Sequence, residues 1–488
     1  MARRAAPRLL RDYVEHALYS RTTGYFAAKD VVGGLHSPLP YQSFRNEYDY
    51  RQAVSERYNA GTTGSAWLTP SEVFTPHYGE AIARSIVDRH RWTYPSSSEP
   101  LQLLEIGGGN GTLAADILGY LRRNEPELYS SMRYLLVEVS ARYAEAQRRT
   151  LAASGHLAAP GEAAARVEVV NQCARSWAVE RCGRGAQLEG PWWICMMEVL
   201  DNLPHDRIRI STNAHGSALE EAVVVELREA DEVLRASHAC EFRPLVDSEL
   251  LAAAASLELT SVEGVRLAHD AVASTDGAGA GAGVALSMQR MMANVFGMHT
   301  DATAAQDAYV PTGSWRLLHA LCAAVPEHQF TLADFSWLPP QPSGALNAPV
   351  VQMQRGGQTV DLRGDYLQGC GQADILFPTN FDHLATILAA ASAASADAST
   401  AAASAASADA STAAASTAAA AHSSSSAARV HGPPPLAPVH ASSAAFLRRW
   451  GDVSATACSA SAFNPLLDDF TNTRILVTGQ GTEGLVAE

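Results

Sequence analysis

An apolar run that ends in glycines and passes straight into an amphipathic stretch constrains this chain more than any other feature. Leu103-Leu104-Glu105-Ile106-Gly107-Gly108-Gly109-Asn110-Gly111-Thr112-Leu113 reads as a strand, a bare turn and the start of a helix. Glycines at 107, 109 and 111 permit positive φ and let a ligand lie against backbone where a Cβ would collide. The rhythm continues, with strands predicted over 101–106, 134–139, 167–170 and 192–199 and a helix over 112–123. Such alternation predicts an α/β fold, a doubly wound and mostly parallel sheet with ligands gathered outside the carboxyl ends of its strands.

The spacing of the glycines selects among ligands. A dinucleotide fingerprint G-x-G-x-x-G begun at Gly107 needs glycine at 112, where Thr112 stands, so only G-x-G-x-G is satisfied. NAD requires helix N-terminal amides for its pyrophosphate, whereas S-adenosyl-L-methionine has no phosphate and presents a carboxylate, an ammonium and a sulfonium. The spacing favours adenosylmethionine, with Gly107, Gly109 and Gly111 as its cradle and Glu105 orienting its methionine end. Glu138, near the end of the next strand, is placed to accept bonds from two ribose hydroxyls.

After the fourth strand, Pro204 restricts Asn202 and Leu203 toward extended forms, so a fixed turn is expected to hold Glu198, Asp201 and Asn202 beside the methyl group. The carboxylates of Glu198 and Asp201 can orient a planar guanidinium bidentately while drawing off its charge, and with Asn202 of the same turn they are the candidate catalytic residues. Turn capping is the plainer role for Asp201 and Asn202. His205, beside the proline, reads as a surface or packing residue.

Composition narrows the partners. A net charge of -15 argues against a nucleic-acid substrate, and seven dispersed cysteines without a C-x-x-C pair predict no metal site. No apolar run approaches the ~18 residues of a membrane span. Arg3, Arg4, Arg8 and Arg11 without an acid among them make residues 1–12 either a transit-like segment or an ordinary basic terminus. Residues 9–92 read as a largely helical lid, and 93–388 as the core with a Gly/Ala-rich insertion over 270–285. An Ala/Ser-rich stretch over 389–442 is expected to be a disordered linker, and 443–488 to return to the core. Strands are further expected at 222–227 and 330–338, and a hairpin from 350–354 and 359–362 around Gly356-Gly357.

Together these segments resemble the MidA family. Residues Glu105 to Leu113 follow its E-L-G-x-G-x-G-T-L, and Val137-Glu138-Val139-Ser140 its V-E-x-S. Further matches, in the family's order, are Thr23-Gly24-Tyr25-Phe26, Thr69-Pro70-Ser71-Glu72-Val73-Phe74 and the segment from Glu198 to Pro204. Later come Val310 to Ser314, Asp334-Phe335-Ser336-Trp337-Leu338-Pro339, Asn347 to Gln352, Asp374-Ile375-Leu376-Phe377-Pro378-Thr379 and Asn464 to Asp468. The resemblance covers most of 9–388 and 443–477. It implies a class I (Rossmann-like) methyltransferase with a helical N-terminal lid and inserted β/α elements, using adenosylmethionine. It further implies the mitochondrial matrix as location and arginine methylation of a protein partner, a core subunit of respiratory complex I, during assembly of that complex.

Three departures stand near the methyl group. Residues 64–68 replace the usual G-D-F segment, Met197 stands where many members carry Asn, and Asn202 replaces a common Ala. They leave two alternatives: a non-catalytic assembly factor that keeps the fold, or a small-molecule methyltransferase with an apolar pocket lined by Trp192, Trp193 or Tyr25.

Overall fold

The computed structural model describes residues 3–4, 6–28, 32–34, 37–61, 68–95, 99–157, 166–213, 216–228, 236–275, 305–355, 358–368, 370–414, 437–482 and 485. The N-terminal region is helical, with α1 (Leu10–Tyr19), α2 (Glu47–Gly61), α3 (Pro70–Val73) and α4 (His77–Thr93). The core then alternates β1 (Gln102–Ile106), α5 (Thr112–Asn124), β2 (Arg133–Glu138), α6 (Ala141–Ala153), β3 (Val167–Asn171), α7 (Ala174–Gly183) and β4 (Trp192–Met197).

An antiparallel unit follows, made of β5 (Asp206–Asn213), β6 (Gly216–Arg228) and β7 (Ala236–Pro244), then α8 (Ser248–Ser256), α9 (Val262–Thr275) and β8 (Gln306–Val310). The chain returns to the core through α10 (Thr312–Ala324) and β9 (His328–Phe335). A three-stranded unit comes next, β10 (Val350–Arg355), β11 (Gln358–Asp361) and β12 (Ala373–Leu376). The last elements are α11 (Phe381–Ala414), β13 (Val439–Ser442), α12 (Ser443–Trp450) and β14 (Thr473–Val477).

The core sheet has the order β13-β14-β9-β4-β1-β2-β3. β3, β2, β1, β4 and β9 run parallel, while β14 lies antiparallel to both β9 and β13. This is the expected doubly wound, mostly parallel architecture, and the strand order reverses between β1 and β4, where open α/β sheets place their ligands. Side-chain alternation supplies both faces: Leu103, Tyr134, Leu136, Trp193 and Cys195 join one apolar cluster, and Leu104, Ile106, Leu135, Val137, Trp192, Ile194 and Met196 join the other. α4, α5 and α12 cover the first face; α7, α8, α10 and α11 cover the second.

Several expectations shift. The Ala/Ser-rich linker expected over 389–442 is helical in its first part, because α11 continues through Ala414 and buries Ala391, Ser392 and Ser395. Ser392 Oγ bonds His328 Nε2 at 2.8 Å and Ser395 Oγ donates to Cys322 O at 2.8 Å, so small side chains let the helix sit close on its neighbours. At the other end of that stretch, residues 439–442 form an edge strand of the core sheet. Residues 415–436 lie outside the described residues, as do 64–67, most of the Gly/Ala-rich insertion after Thr275, and the Gly356-Gly357 turn of the hairpin. Both hairpin strands are present and pair antiparallel. Trp192, Trp193 and Tyr25, considered as a pocket lining, are instead packed inside the apolar clusters at 2% exposure or less.

A buried cation ties the first face together. The Arg89 guanidinium, fully enclosed, donates to Ser85 O, Phe330 O and Thr478 O at 3.2, 3.1 and 2.9 Å, and also to Thr331 Oγ1. It lies 4.8 Å from the Trp193 ring, and burial pushes its pKa down to about 9. Arg89→Met keeps the volume but strands these buried acceptors, so chemical denaturation is expected to show a loss of about 2–4 kcal/mol.

Candidate active site at the carboxyl edge of the core sheet

The turn after β1 lies at the switch point. Gly107 N donates to Val137 O at 3.1 Å, extending the β1–β2 pairing into the turn, and φ is +71°, +49° and +83° at Gly107, Gly109 and Gly111. A Cβ on Gly107 would lie 2.8 Å from Val199 Cγ2, and one on Gly111 3.0 Å from the Gln147 backbone. At Gly107 and Gly111 a side chain is excluded by space as well as by conformation.

Gln147, on α6, joins the turn to the predicted ribose ligand. Its Nε2 donates to Gly109 O and to Glu138 Oε2, both at 3.1 Å. Glu138 also accepts from Ser140 N at 2.8 Å through Oε1. Burial pushes Glu138 up to about 7, against the pull of those donors. Glu105 is placed differently from the expectation that it orients a methionine end: it is buried under the turn, with Oε2 accepting from Tyr134 Oη at 2.6 Å. Burial, opposed by that bond, raises it to about 7.

Across the switch point, the chain leaves β4 at Glu198 with φ +54°, a conformation that a side chain with a Cβ adopts at a cost. Asp334, at the end of β9, holds the turn: its Oδ2 accepts from Leu200 N at 2.8 Å and Asp201 N at 3.1 Å. Glu198 N donates to Ala333 O at 2.8 Å, and Phe377 N donates to Asp201 O at 2.8 Å. Glu198 keeps part of its surface open, while Asp201 and Asp334 are buried.

Asn202, expected among the catalytic residues, is committed elsewhere. Its Nδ2 donates to Asp374 Oδ1 at 2.8 Å and Ile375 O at 3.1 Å, and its carbonyl accepts from Tyr19 Oη at 3.0 Å. It therefore clamps β12 and α1 to the turn. Of the two roles open to His205, surface or packing, it takes the second, stacked 4.0 Å from Phe377 with burial holding its pKa down to about 4.

Four carboxylates thus gather at this edge. Burial raises Asp334 to about 7 and lifts Glu198 well above its ordinary range, with Asp334 adding repulsion. Asp201 is raised by burial and then by Asp334, Asp374 and Glu198. Asp334, Asp374 and Gln147 were not singled out as site residues in the sequence. The first two stand in segments that carry the family resemblance, whereas nothing in the pattern marks Gln147.

The residues fit adenosylmethionine. The cradle is bare, a carboxylate lies one amide away from it, and two buried polar atoms, Gln147 Oε1 and Asp201 Oδ1, have no hydrogen-bond partner among the described residues. Gly107, Gly109, Gly111 and Glu138 would hold the cofactor, which supplies a methyl group on a sulfonium. A cavity of about 530 Å³ lined by His90, Tyr94, Glu99 and Leu128 lies at the opposite, amino edge of the sheet and takes no part.

Hydroxyl donors favour the ionised form of Glu138, so cofactor binding should be strongest above pH 7. Below that pH, binding first requires a proton to leave, and affinity for S-adenosyl-homocysteine should fall by up to about tenfold per unit. Glu138→Gln is expected to lower the plateau roughly 10- to 100-fold and to flatten the decline, as read by calorimetry across the pH series.

Comparison with known proteins agrees with this geometry. Residues 81–399 match the family model described as "Putative S-adenosyl-L-methionine-dependent methyltransferase". No curated protein matches the chain. Among solved structures, a Burkholderia thailandensis protein bound to S-adenosyl-homocysteine aligns over 99% of this chain and 90% of its own, at 16% identity and a TM-score of 0.51. A native structure of an uncharacterized protein from the same organism aligns over 99% and 89%, at 16% identity and a TM-score of 0.49. The first of these shows a shared fold, and the family model spans well over half of the sequence: the chain belongs to this family of adenosylmethionine-dependent methyltransferases.

Proposed function

We propose that this methyltransferase transfers its methyl group to a guanidinium nitrogen of a protein arginine, and that the acceptor is a core subunit of respiratory complex I undergoing assembly in the mitochondrial matrix. The location and the acceptor rest on the MidA resemblance. The arginine reading is carried by the carboxylates at the end of β4, above all Asp201, whose Oδ1 is buried without a partner among the described residues.

A planar cation suits that edge because it can bridge two carboxylates while its remaining nitrogen faces the methyl group. In this reading Glu198 and Asp201 orient the guanidinium and take up the positive charge that grows on it during transfer. Asp334 acts through the backbone, holding the turn that carries Asp201 by its bonds to Leu200 N and Asp201 N. Asn202 positions the turn and does not meet the acceptor.

The test is transfer of labelled methyl from adenosylmethionine to mitochondrial protein, with the modified residue located by mass spectrometry. Glu198→Gln and Asp201→Asn are each expected to reduce transfer at least about 100-fold while leaving S-adenosyl-homocysteine affinity within about threefold. Label appearing only in small molecules would refute the arginine reading. Full support of complex I assembly by the double variant would instead establish a non-catalytic role.

A further inference from the structure

We propose that Glu72, carried by the N-terminal region, is the carboxylate that receives the α-ammonium of the cofactor's methionine end, so that this region completes the cofactor site. The inference rests on the family reading above and adds a binding residue to it.

Between Gly107 and Thr112 only two residues have side chains, Asn110 and Thr112. Both reach the same carboxylate: Glu72 Oε1 accepts from Thr112 Oγ1 at 2.7 Å and from Asn110 Nδ2 at 3.2 Å. Pro70 opens α3 at its first turn, and Glu72 is 5% exposed against the glycine turn. A second N-terminal stretch lies against the same place, with Asn110 Nδ2 lying 3.4 Å from Val32 O and a Cβ on Gly34 falling 3.5 Å from Glu72 Oε2.

The other acids around the turn are placed for different work. Glu105 lies beneath it, bonded to Tyr134, with Oε1 2.8 Å from where a Gly108 Cβ would stand. Glu138 is held on the ribose side by Ser140 and Gln147. Glu198 and Asp201 lie across the switch point, by the methyl end. Among the described residues, Glu72 is the acid bonded to the side chains of the turn itself.

The methionine end of adenosylmethionine carries one negative and one positive group. No side chain caps the N-terminus of α5, since Gly111 stands there, so its first amides are open to a carboxylate. A buried carboxylate next to those amides supplies the opposite half, and a charge-assisted bond to an ammonium is strong in such surroundings.

Calorimetry on the full chain with S-adenosyl-homocysteine and its desamino analogue, which lacks only the ammonium, separates this contact from the rest of the site. Wild type is expected to bind the analogue roughly 10- to 100-fold more weakly. Glu72→Gln, which keeps shape and an acceptor oxygen, is expected to bind both ligands with the analogue's affinity. Equal affinity of wild type for the two ligands would overturn the proposal, whatever the variant does. So would a variant that still prefers S-adenosyl-homocysteine as strongly as wild type. Should wild type bind neither ligand, the cofactor reading itself falls and this inference falls with it.

Discussion

Parallel pairing of β1 with β2 on one side and β4 on the other is the constraint from which the site follows. Parallel neighbours bring their carboxyl ends to the same edge, so the glycine turn, Glu138 and Glu198 arrive together although 91 positions of sequence separate Gly107 from Glu198. The pairing survives only because both faces are apolar at alternate positions, letting helices from distant parts of the chain bury the sheet. Gly107 N still bonds to Val137 O after β1 has ended, so the turn inherits the rigidity of the sheet. Gln147 then fixes the distance between the turn and Glu138 with a single amide.

Stability is given up at this edge in return for reactivity. Burying several carboxylates in one place is unfavourable, and the raised pKa values of Glu198, Asp201 and Asp334 express that cost as a tendency to hold protons. The positive φ at Glu198 adds strain at the same point. Backbone donors offset part of it, since Asp334 accepts from Leu200 N, Asp201 N and, through Oδ1, from Phe335 N at 2.7 Å. A guanidinium, the acceptor proposed above, would relieve the remaining repulsion when it enters.

The sheet was legible in the sequence because its signals are local. Apolar runs of strand length, glycines at a strand end and an acid closing the following strand all fall within short windows, and each of the four expected core strands is found. Contacts made at long range were not legible. Asn202 looked like a site residue from its place in the turn, but its amide is spent on Asp374 and Ile375, more than 170 positions away. Gln147 lies mid-helix, where a glutamine ordinarily faces water, and only the folded turn reveals its role. Composition misled over 389–414, since alanine and serine carry little apolar surface yet are the side chains that allow a helix to lie close against α10.

Met197 bears on how far the family's chemistry carries over. The MidA resemblance leads one to expect an asparagine at this position, one residue before Glu198. Here the Met197 thioether instead lies 3.7 Å from Tyr78 Oη, a weak acceptor for a phenol that burial holds well above its ordinary pKa. The Glu198 carboxyl, one residue on, is lifted by burial and by Asp334. Met197 leaves the carboxylate edge in place, since the turn is held by Asp334. Under the arginine reading proposed above, ionisation of Glu198 and entry of the acceptor are coupled, because a guanidinium favours the charged carboxylate that burial disfavours.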